Sequence, residues 1–158
     1  MTKTLRGLSR RLNRREMVVG LATGGAAVCI APMAAFATPA QVEEEVKKAT
    51  GGKPLAEGKI KLDLPSIAEN GLVVPLGFEV ESPMTDKDYV KTLTFYAEGN
   101  PNPILAAFHF TPLLPKASGQ IRIRLAGTQN IIAVAEMSDG KLFTAKKEVK
   151  VTIGGCGG

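Results

Sequence analysis

Seven short strand-like segments, several of which alternate apolar and polar residues, are the feature that most constrains this fold. The clearest is Lys59–Leu64, where an isoleucine and two leucines alternate with charged side chains. A period of two places the apolar side chains on one face of a β-strand. The predicted strands are 59–64, 72–81, 90–97, 104–110, 120–125, 130–137 and 141–153.

Turn sequences separate these segments, among them Asn70-Gly71 and the hairpin sequence Ser138-Asp139-Gly140. The pattern predicts an all-β fold, an antiparallel immunoglobulin-like β-sandwich of about seven strands. Tryptophan is absent, so an antibody-type core is not expected. Pro75 has no N–H to donate, which predicts that its strand lies at a sheet edge or is bulged. Lys147 interrupts the alternation of the last strand and predicts a bulge there.

A short helix is predicted before the strands. Thr38 is a suitable N-cap, Pro39 suits the first helical position, and Gln41 completes a capping box. The helix should end at Gly51-Gly52. Its apolar stripe is narrow, so we expect it to lie against the domain rather than inside it; the stripe consists of Val42, Val46 and Ala49.

Residues 1–37 have the composition of a signal peptide. A basic segment that ends in Arg14-Arg15 precedes the uncharged run Met17–Phe36, and Ala35-Phe36-Ala37 is a small-x-small cleavage sequence. Paired arginines at the start of the apolar run indicate a twin-arginine signal, cleaved after Ala37, and a periplasmic protein. The run is long enough to raise a membrane anchor as the alternative, although its glycines and Pro32 make it only mildly hydrophobic.

Removal of the signal peptide changes the charge balance. It takes away six of the 20 basic residues and one of the 15 acidic residues, which leaves 14 of each. The basic character therefore belongs to the targeting segment, and no basic surface for nucleic acid is expected in the mature chain.

The same cleavage leaves one cysteine. Cys29 follows Val28, which does not fit a lipoprotein signal, and it is lost with the signal peptide, so only Cys156 remains. A single cysteine in an oxidising compartment implies a reactive thiol or an intermolecular disulfide. About 120 residues must therefore form one domain, 38–153, with no internal disulfide.

The last five residues, 154–158, place Cys156 between two pairs of glycines. Glycine populates both signs of φ, so Gly154, Gly155, Gly157 and Gly158 should form a thin and flexible tether. From Ile153 the chain reaches roughly 10 Å to Cys156 when extended. An unperturbed thiol has a pKa near ~8.5 and would be activated by whichever enzyme receives it. We expect Cys156 to carry cargo as a covalent adduct.

Other candidate sites are weak. His109 is the only histidine and should point to solvent or to a partner, because Phe108 and Phe110 occupy the opposite face. Arg122 and Arg124 could receive an anion, although an alternating solvated face explains them better. One histidine and one distant cysteine do not provide the ligands of a metal site, so no metal, cofactor or catalytic residue is predicted.

Several sequence motifs together resemble the SoxY family, the sulfur-carrier subunits of the periplasmic thiosulfate-oxidising Sox system. The resemblance spans nearly all of the mature chain, and its most specific part is the terminal Gly154–Gly158. The other motifs are 67–71, 74–76, 80–85, 100–103, 108–112, 121–126 and 134–140.

The resemblance implies a carrier without catalytic activity of its own, which forms a heterodimer with a SoxZ-like subunit. It further implies that a SoxAX-like cytochrome loads Cys156 as an S-thiosulfonate and that a SoxB-like hydrolase then releases sulfate and leaves a persulfide. It also implies that, depending on the organism, a SoxCD-like dehydrogenase oxidises the remaining sulfur or this sulfur leaves by another route. The face of this chain that binds the partner is left open, with the strand that contains Pro75 as a candidate.

Two alternatives remain open. Ubiquitin-like sulfur carriers also end in Gly-Gly, but they require ATP for adenylation and would leave Cys156 without a role. A structural module in which Cys156 joins two subunits by a disulfide is the second alternative.

Overall fold

The computed structural model describes residues 37–152. Helix α1 covers Pro39–Thr50 and nine strands follow it. They are β1 Leu55–Glu57, β2 Ile60–Asp63, β3 Ile67–Ala68, β4 Val74–Val80, β5 Val90–Ala97, β6 Ile104–His109, β7 Ala117–Ile123, β8 Gln129–Met137 and β9 Leu142–Val151.

The strands form two sheets. The larger has the order β1-β9-β8-β5-β6, with β3 also paired to β9, and the smaller has the order β2-β4-β7. Pairing is antiparallel within the smaller sheet and along β9-β8-β5-β6. In contrast, β1 and β3 both pair with β9 in the parallel direction. The predicted sandwich with a preceding helix is confirmed, but its pairing is not antiparallel throughout.

Aromatic side chains join the two sheets at the centre of the core. Phe78 comes from β4 in the smaller sheet, and its ring centroid lies 5.2 Å from that of Phe95 and 5.0 Å from that of Phe108 in the larger sheet. Phe110 packs beside them, 6.3 Å from Phe108. Tilted and edge-on aromatic pairs at such distances add to the free energy of burial. This cluster holds the two sheets face to face.

Helix α1 covers part of the outer face of the larger sheet. The predicted capping box forms, because the Thr38 hydroxyl accepts from the Gln41 amide and the Gln41 side chain accepts from the Thr38 amide. The helix and sheet together bury Ala37, Val42, Val46, Tyr96 and Val134. The third buried helix position is Thr50 rather than the predicted Ala49, which is exposed. The Thr50 hydroxyl remains satisfied because it donates to the Val46 carbonyl at 2.7 Å.

Residue Ala37 belongs to the folded part of the chain. It is buried, and its amide donates to the Asn100 carbonyl oxygen at 2.7 Å. The predicted cleavage after Ala37 would remove this contact, and the boundary at residue 37 stays a prediction. Residues 1–36 of the predicted signal peptide, Ile153 and the tail 154–158 lie outside the described residues.

All seven predicted strands are present, with the bounds of 90–97 reproduced at both ends. The largest difference is in β7, which begins at Ala117 rather than at residue 120. Strands β1 and β3 were not predicted. They have three and two residues, which is too short for an alternating pattern to be recognised.

The expectation that Pro75 lies in an edge strand is wrong. Strand β4 is the middle strand of the smaller sheet and pairs with β7 along its whole length, Pro75 included. Proline is tolerated because β2 pairs only with Gly77–Val80, so the other side of β4 has no partner strand at Pro75. A proline without a donor is compatible with a position that is paired on one side only.

The predicted bulge at Lys147 is also wrong. The register between β8 and β9 is continuous from Gln129↔Val149 to Glu136↔Leu142. The irregularities lie elsewhere: Lys91 of β5 is the extra residue in the pairing with β8, and Leu105 of β6 is the extra residue in the pairing with β5. Within β5 the side chains alternate normally, so Phe95 enters the core between the sheets and Tyr96 faces α1. Within residues 37–152, no helix has the length and apolar character needed to cross a membrane.

Ionisation of Tyr96 lowers the stability of the fold at alkaline pH. Burial raises the pKa of the Tyr96 phenol above its ordinary value of 10.0, and the nearby carboxylate of Glu45 acts in the same direction. Because the folded state favours the neutral phenol, its contribution is complete below pH 10 and is lost as the pH rises through the raised pKa.

The free energy of unfolding, measured with a chemical denaturant in steps of about one pH unit from about pH 8 to about pH 11, checks this linkage. Tyr96→Phe should remove the part of the alkaline loss of stability that comes from Tyr96, whereas Tyr89→Phe should retain it. Equal alkaline losses in wild type and Tyr96→Phe would contradict the assignment.

Candidate functional site

The predicted carrier residue, Cys156, and its tether residues Gly154, Gly155, Gly157 and Gly158 lie outside the described residues. The described structure does show the point from which they continue. Strand β9 ends at Val151 and is followed by Thr152, which is exposed. The surroundings of Thr152 therefore define the candidate site.

The end of β9 is held on both sides. On one side, β3 pairs in parallel with Lys150 and Val151, and the Thr152 amide donates to the Ala68 carbonyl at 3.0 Å. On the other side, the Val151 amide donates to the Thr128 hydroxyl at 3.0 Å. Backbone hydrogen bonds on two sides suppress fraying of a chain end. The position from which the tail begins is consequently fixed relative to the sandwich.

An open groove lies beside this point, and we call it the exit groove. Its volume is ≈ 1420 Å³, and it is lined by the start of β6, the end of β7 with the residues that follow it, and the segments 69–72, 100–102 and 151–152. The groove lies between β6 and β7, which are edge strands of different sheets. Val151 and Thr152 belong to its lining, so the last described residues border the groove.

A polar network braces one wall of the groove. The Asn100 amide nitrogen donates to the Arg124 carbonyl at 2.8 Å, and its oxygen accepts from the Ala126 amide and from Gln129 Nε2, each at 2.9 Å. Gln129 in turn accepts from the Gly99 amide at 2.8 Å. Both side chains are buried, and no buried side-chain polar atom within residues 37–152 is left unsatisfied. A fully satisfied buried network rigidifies the loops it joins.

Gly71 shapes the opposite wall. Its carbonyl accepts from the Leu125 amide at 2.7 Å, and a Cβ added to Gly71 would collide with the Leu125 carbonyl oxygen. The predicted Asn70-Gly71 turn is present, because the Leu72 amide donates to Asn70 Oδ1 at 2.8 Å. Close backbone approach explains why glycine is required here.

The two arginines of β7 and its extension are placed as predicted. Arg122 and Arg124 are exposed on the outer side, whereas Ile121, Ile123 and Leu125 face the core. No ion pair joins either arginine to an acid within residues 37–152. Their exposure fits an alternating solvated face, and both residues also belong to the lining of the exit groove.

His109 is exposed, as predicted, and Phe108 and Phe110 pack against the core. His109 ends β6, so it lies at the opposite end of that strand from the exit groove. In the described part of the chain, no group of three or more His, Cys, Asp or Glu side chains is placed to hold a metal ion.

Sequence reasoning missed most of this site. It predicted the strand that leads to the tail, but it did not predict β3, the bond to Thr128 or the exit groove. These features join residues that are distant in sequence, such as Ala68 and Thr152. The only sequence signals were the Asn70-Gly71 turn and the polar residues Asn100 and Gln129, and neither indicates a groove by itself.

The fold places the chain in a class of small two-sheet β-sandwich proteins. It is similar to superoxide reductase (neelaredoxin) from Ignicoccus hospitalis, with a TM-score of 0.54 and 21% identity, over 73% of this chain and 94% of that chain. At this identity the likeness concerns the fold alone. No curated protein sequence matches the chain.

A second solved structure is more similar in sequence. The sulfur carrier protein SoxY from Chlorobium limicola f thiosulfatophilum is 30% identical, with a TM-score of 0.61, over 72% of this chain and 98% of that chain. The family model for sulfur oxidation protein SoxY matches residues 46–156. The chain belongs to the SoxY family.

The requirement for glycine at position 71 can be tested with a matched pair of variants. Gly71→Ala should reduce the free energy of unfolding by about 1–3 kcal/mol, because the new Cβ forces the Gly71 and Leu125 backbones apart. Gly127→Ala lies in the adjoining loop, where a Cβ meets no atom within 4 Å, and should be neutral or slightly stabilising. Denaturant unfolding of both variants measures the difference, and equal stabilities would contradict the close approach.

Proposed function

We propose that this protein carries sulfur covalently on Cys156 during periplasmic thiosulfate oxidation and presents it to successive enzymes. The observation that carries the proposal is the family match, which extends to residue 156 and so includes the cysteine. Further support comes from the similar Chlorobium limicola protein, which is a sulfur carrier protein. The firmly held end of β9 supports a tether that starts from a fixed point.

Loading is an oxidation. The thiol of Cys156 and thiosulfate combine to give a cysteine S-thiosulfonate, with release of one proton and two electrons, which a SoxAX-like cytochrome accepts. The new bond joins the Cys156 sulfur to the outer sulfur of thiosulfate. The thiolate is the reactive form, and an unperturbed thiol is mostly protonated at neutral pH, so the loading enzyme supplies the activation.

Release of sulfate is a hydrolysis. Water attacks the sulfonate sulfur and breaks the bond between that sulfur and the middle sulfur of the adduct. Sulfate leaves, two protons are released, and the persulfide anion stays on Cys156. A SoxB-like hydrolase performs this step, and a SoxCD-like dehydrogenase oxidises the persulfide further where it is present. In this proposal the protein is a substrate carrier without a catalytic residue, a cofactor or a metal of its own.

The remaining parts of the proposal concern assembly and location. A SoxZ-like subunit forms a heterodimer with the sandwich, and export occurs by the twin-arginine route with cleavage after Ala37. The uncharged run behind Arg14-Arg15 supports this route. The glycines on either side of Cys156 support a swinging arm, since residues without Cβ give the thinnest and most mobile chain.

Intact mass after loading tests the position of the cargo. The heterodimer, incubated with thiosulfate and the loading cytochrome, should gain the mass of one thiosulfate on this chain, and a thiol reductant should remove it. Cys156→Ser should gain nothing and should abolish thiosulfate oxidation while the heterodimer still forms. An adduct that resists reductant would place the cargo elsewhere, and thiosulfate oxidation by Cys156→Ser would favour a merely structural cysteine.

The thin tether makes a separate prediction. Gly155→Val should lower the turnover of thiosulfate by about tenfold, because a branched side chain displaces the thiol within the receiving site. The free energy of unfolding should not change, since residue 155 follows the last strand. Gly127→Val is the control, because it adds the same side chain to a surface loop, and it should turn over normally. Normal turnover by Gly155→Val would contradict a narrow receiving channel.

A further inference from the structure

The peptide bond at which the signal peptide is predicted to be cleaved lies within the described structure. Ala37 and Thr38 flank this bond, and the folded domain holds both of them. The Ala37 residue is 5% exposed, and its amide donates to the Asn100 carbonyl at 2.7 Å. Susceptibility to proteolysis depends on the burial and hydrogen bonding of the backbone around the bond, because a peptidase must reach that backbone. The folded domain therefore restricts access to this bond.

The residue on the other side of the bond is fixed by helix α1. Thr38 is the N-cap, with an extended backbone at φ −95° and ψ 158°, and its amide donates to Gln41 Oε1 at 2.9 Å. The Thr38 carbonyl accepts from the Val42 amide at 3.1 Å, which is the first hydrogen bond of the helix. Separation of Thr38 from the domain therefore breaks the capping box and the first helical hydrogen bond together.

The packing of α1 decides how easily these contacts open. Ala37 shares a buried cluster with Val42 and Val46 of the helix and with Tyr96 and Val134 of the larger sheet. This cluster is separate from the main core between the two sheets. The first turn of α1 can therefore detach while the sandwich stays folded, as local opening requires. Detachment exposes the apolar cluster to water, which keeps the open form rare.

On this basis, and on the proposed cleavage after Ala37, we infer that Ala37 is a latch that closes the scissile bond in the folded precursor. The signal peptidase acts on the molecules in which the first turn of α1 is detached. Water hydrolyses the peptide bond, the new carboxylate of Ala37 leaves with the signal peptide, and the new amine of Thr38 begins the mature chain. The mature chain no longer contains the latch, so the helix start is then held by its cap and by Val42 and Val46.

Cleavage of the folded full-length precursor by purified signal peptidase tests the inference. The value of kcat/KM is measured for the product that begins at Thr38, which is identified by its intact mass. A synthetic peptide of residues 30–45 contains the same cleavage sequence without the folded domain. The folded precursor should be cleaved about a hundredfold more slowly than the peptide, because cleavage of a closed site follows the population of its open form.

Two substitutions in α1 should speed cleavage of the folded precursor. Val42→Ala removes buried methyl groups between the helix and the sheet and should raise kcat/KM by about tenfold. Gln41→Ala removes the acceptor of the Thr38 amide and should raise it by about threefold. Because Gln41 is exposed, this second variant keeps its fold.

Matched controls separate access from recognition. Glu43→Ala changes an exposed residue of the same helical turn and should leave kcat/KM of the precursor unchanged. In the peptide, neither Val42→Ala nor Gln41→Ala should alter the rate, since no folded structure protects the bond there. Leu93→Ala weakens the main core, outside the cluster beneath α1, and should not speed cleavage while the precursor stays folded.

Three outcomes would overturn the inference: equal cleavage of the folded precursor and the peptide, wild-type rates in both helix variants, or equal acceleration by Leu93→Ala and Val42→Ala. The last would assign cleavage to unfolding of the whole domain. A product that begins at a residue other than Thr38 would instead refute the proposed cleavage after Ala37, so the two failures are distinguishable.

Discussion

A reactive group on a tether is useful to several enzymes only if the tether starts from a fixed point. In this protein that point is the end of β9, where parallel pairing with β3 on one side and the Thr128 hydroxyl on the other hold the last residues of the strand. Without these bonds the end of β9 would fray, and the chain beyond Thr152 would have no defined starting point. The proposed carrier chemistry depends on this anchoring.

The sandwich itself is a scaffold. A similar fold occurs in superoxide reductase from Ignicoccus hospitalis at 21% identity, whereas the family of this chain is defined by sulfur oxidation. Folds of this kind host unrelated functions because function resides in the site that the scaffold carries. Here the proposed reacting atom lies beyond the last strand, so the core needs only to be stable and to hold β9 in register.

The aromatic contacts of Phe78 with Phe95 and Phe108 meet that need. They join the two sheets within the core, while the exit groove lies between the edge strands β6 and β7 at the end of β9. Asn100 and Gln129 satisfy backbone groups near the groove. A stable core and an open, braced end are therefore compatible in one small domain.

Local sequence determined much of this protein. Alternation as in Lys59–Leu64, together with short apolar runs bounded by turn sequences, predicted all seven longer strands, and Thr38 with Gln41 predicted the capped start of α1. The terminal glycines around Cys156 were the most specific indication of the SoxY family, whose model matches residues 46–156. These features depend on residues close together in the chain, whose geometry follows from side-chain periodicity and capping.

Tertiary structure alone decided the remainder. Pro75 is tolerated in a middle strand because β2 is too short to reach it, and Lys147 needs no bulge because β8 keeps it in register. Strand β3 and the exit groove arise from contacts between segments far apart in sequence, such as Ala68 with Thr152 and Gly71 with Leu125. Such pairings leave no periodic trace in the sequence, because their energy comes from partners that only the folded chain brings together.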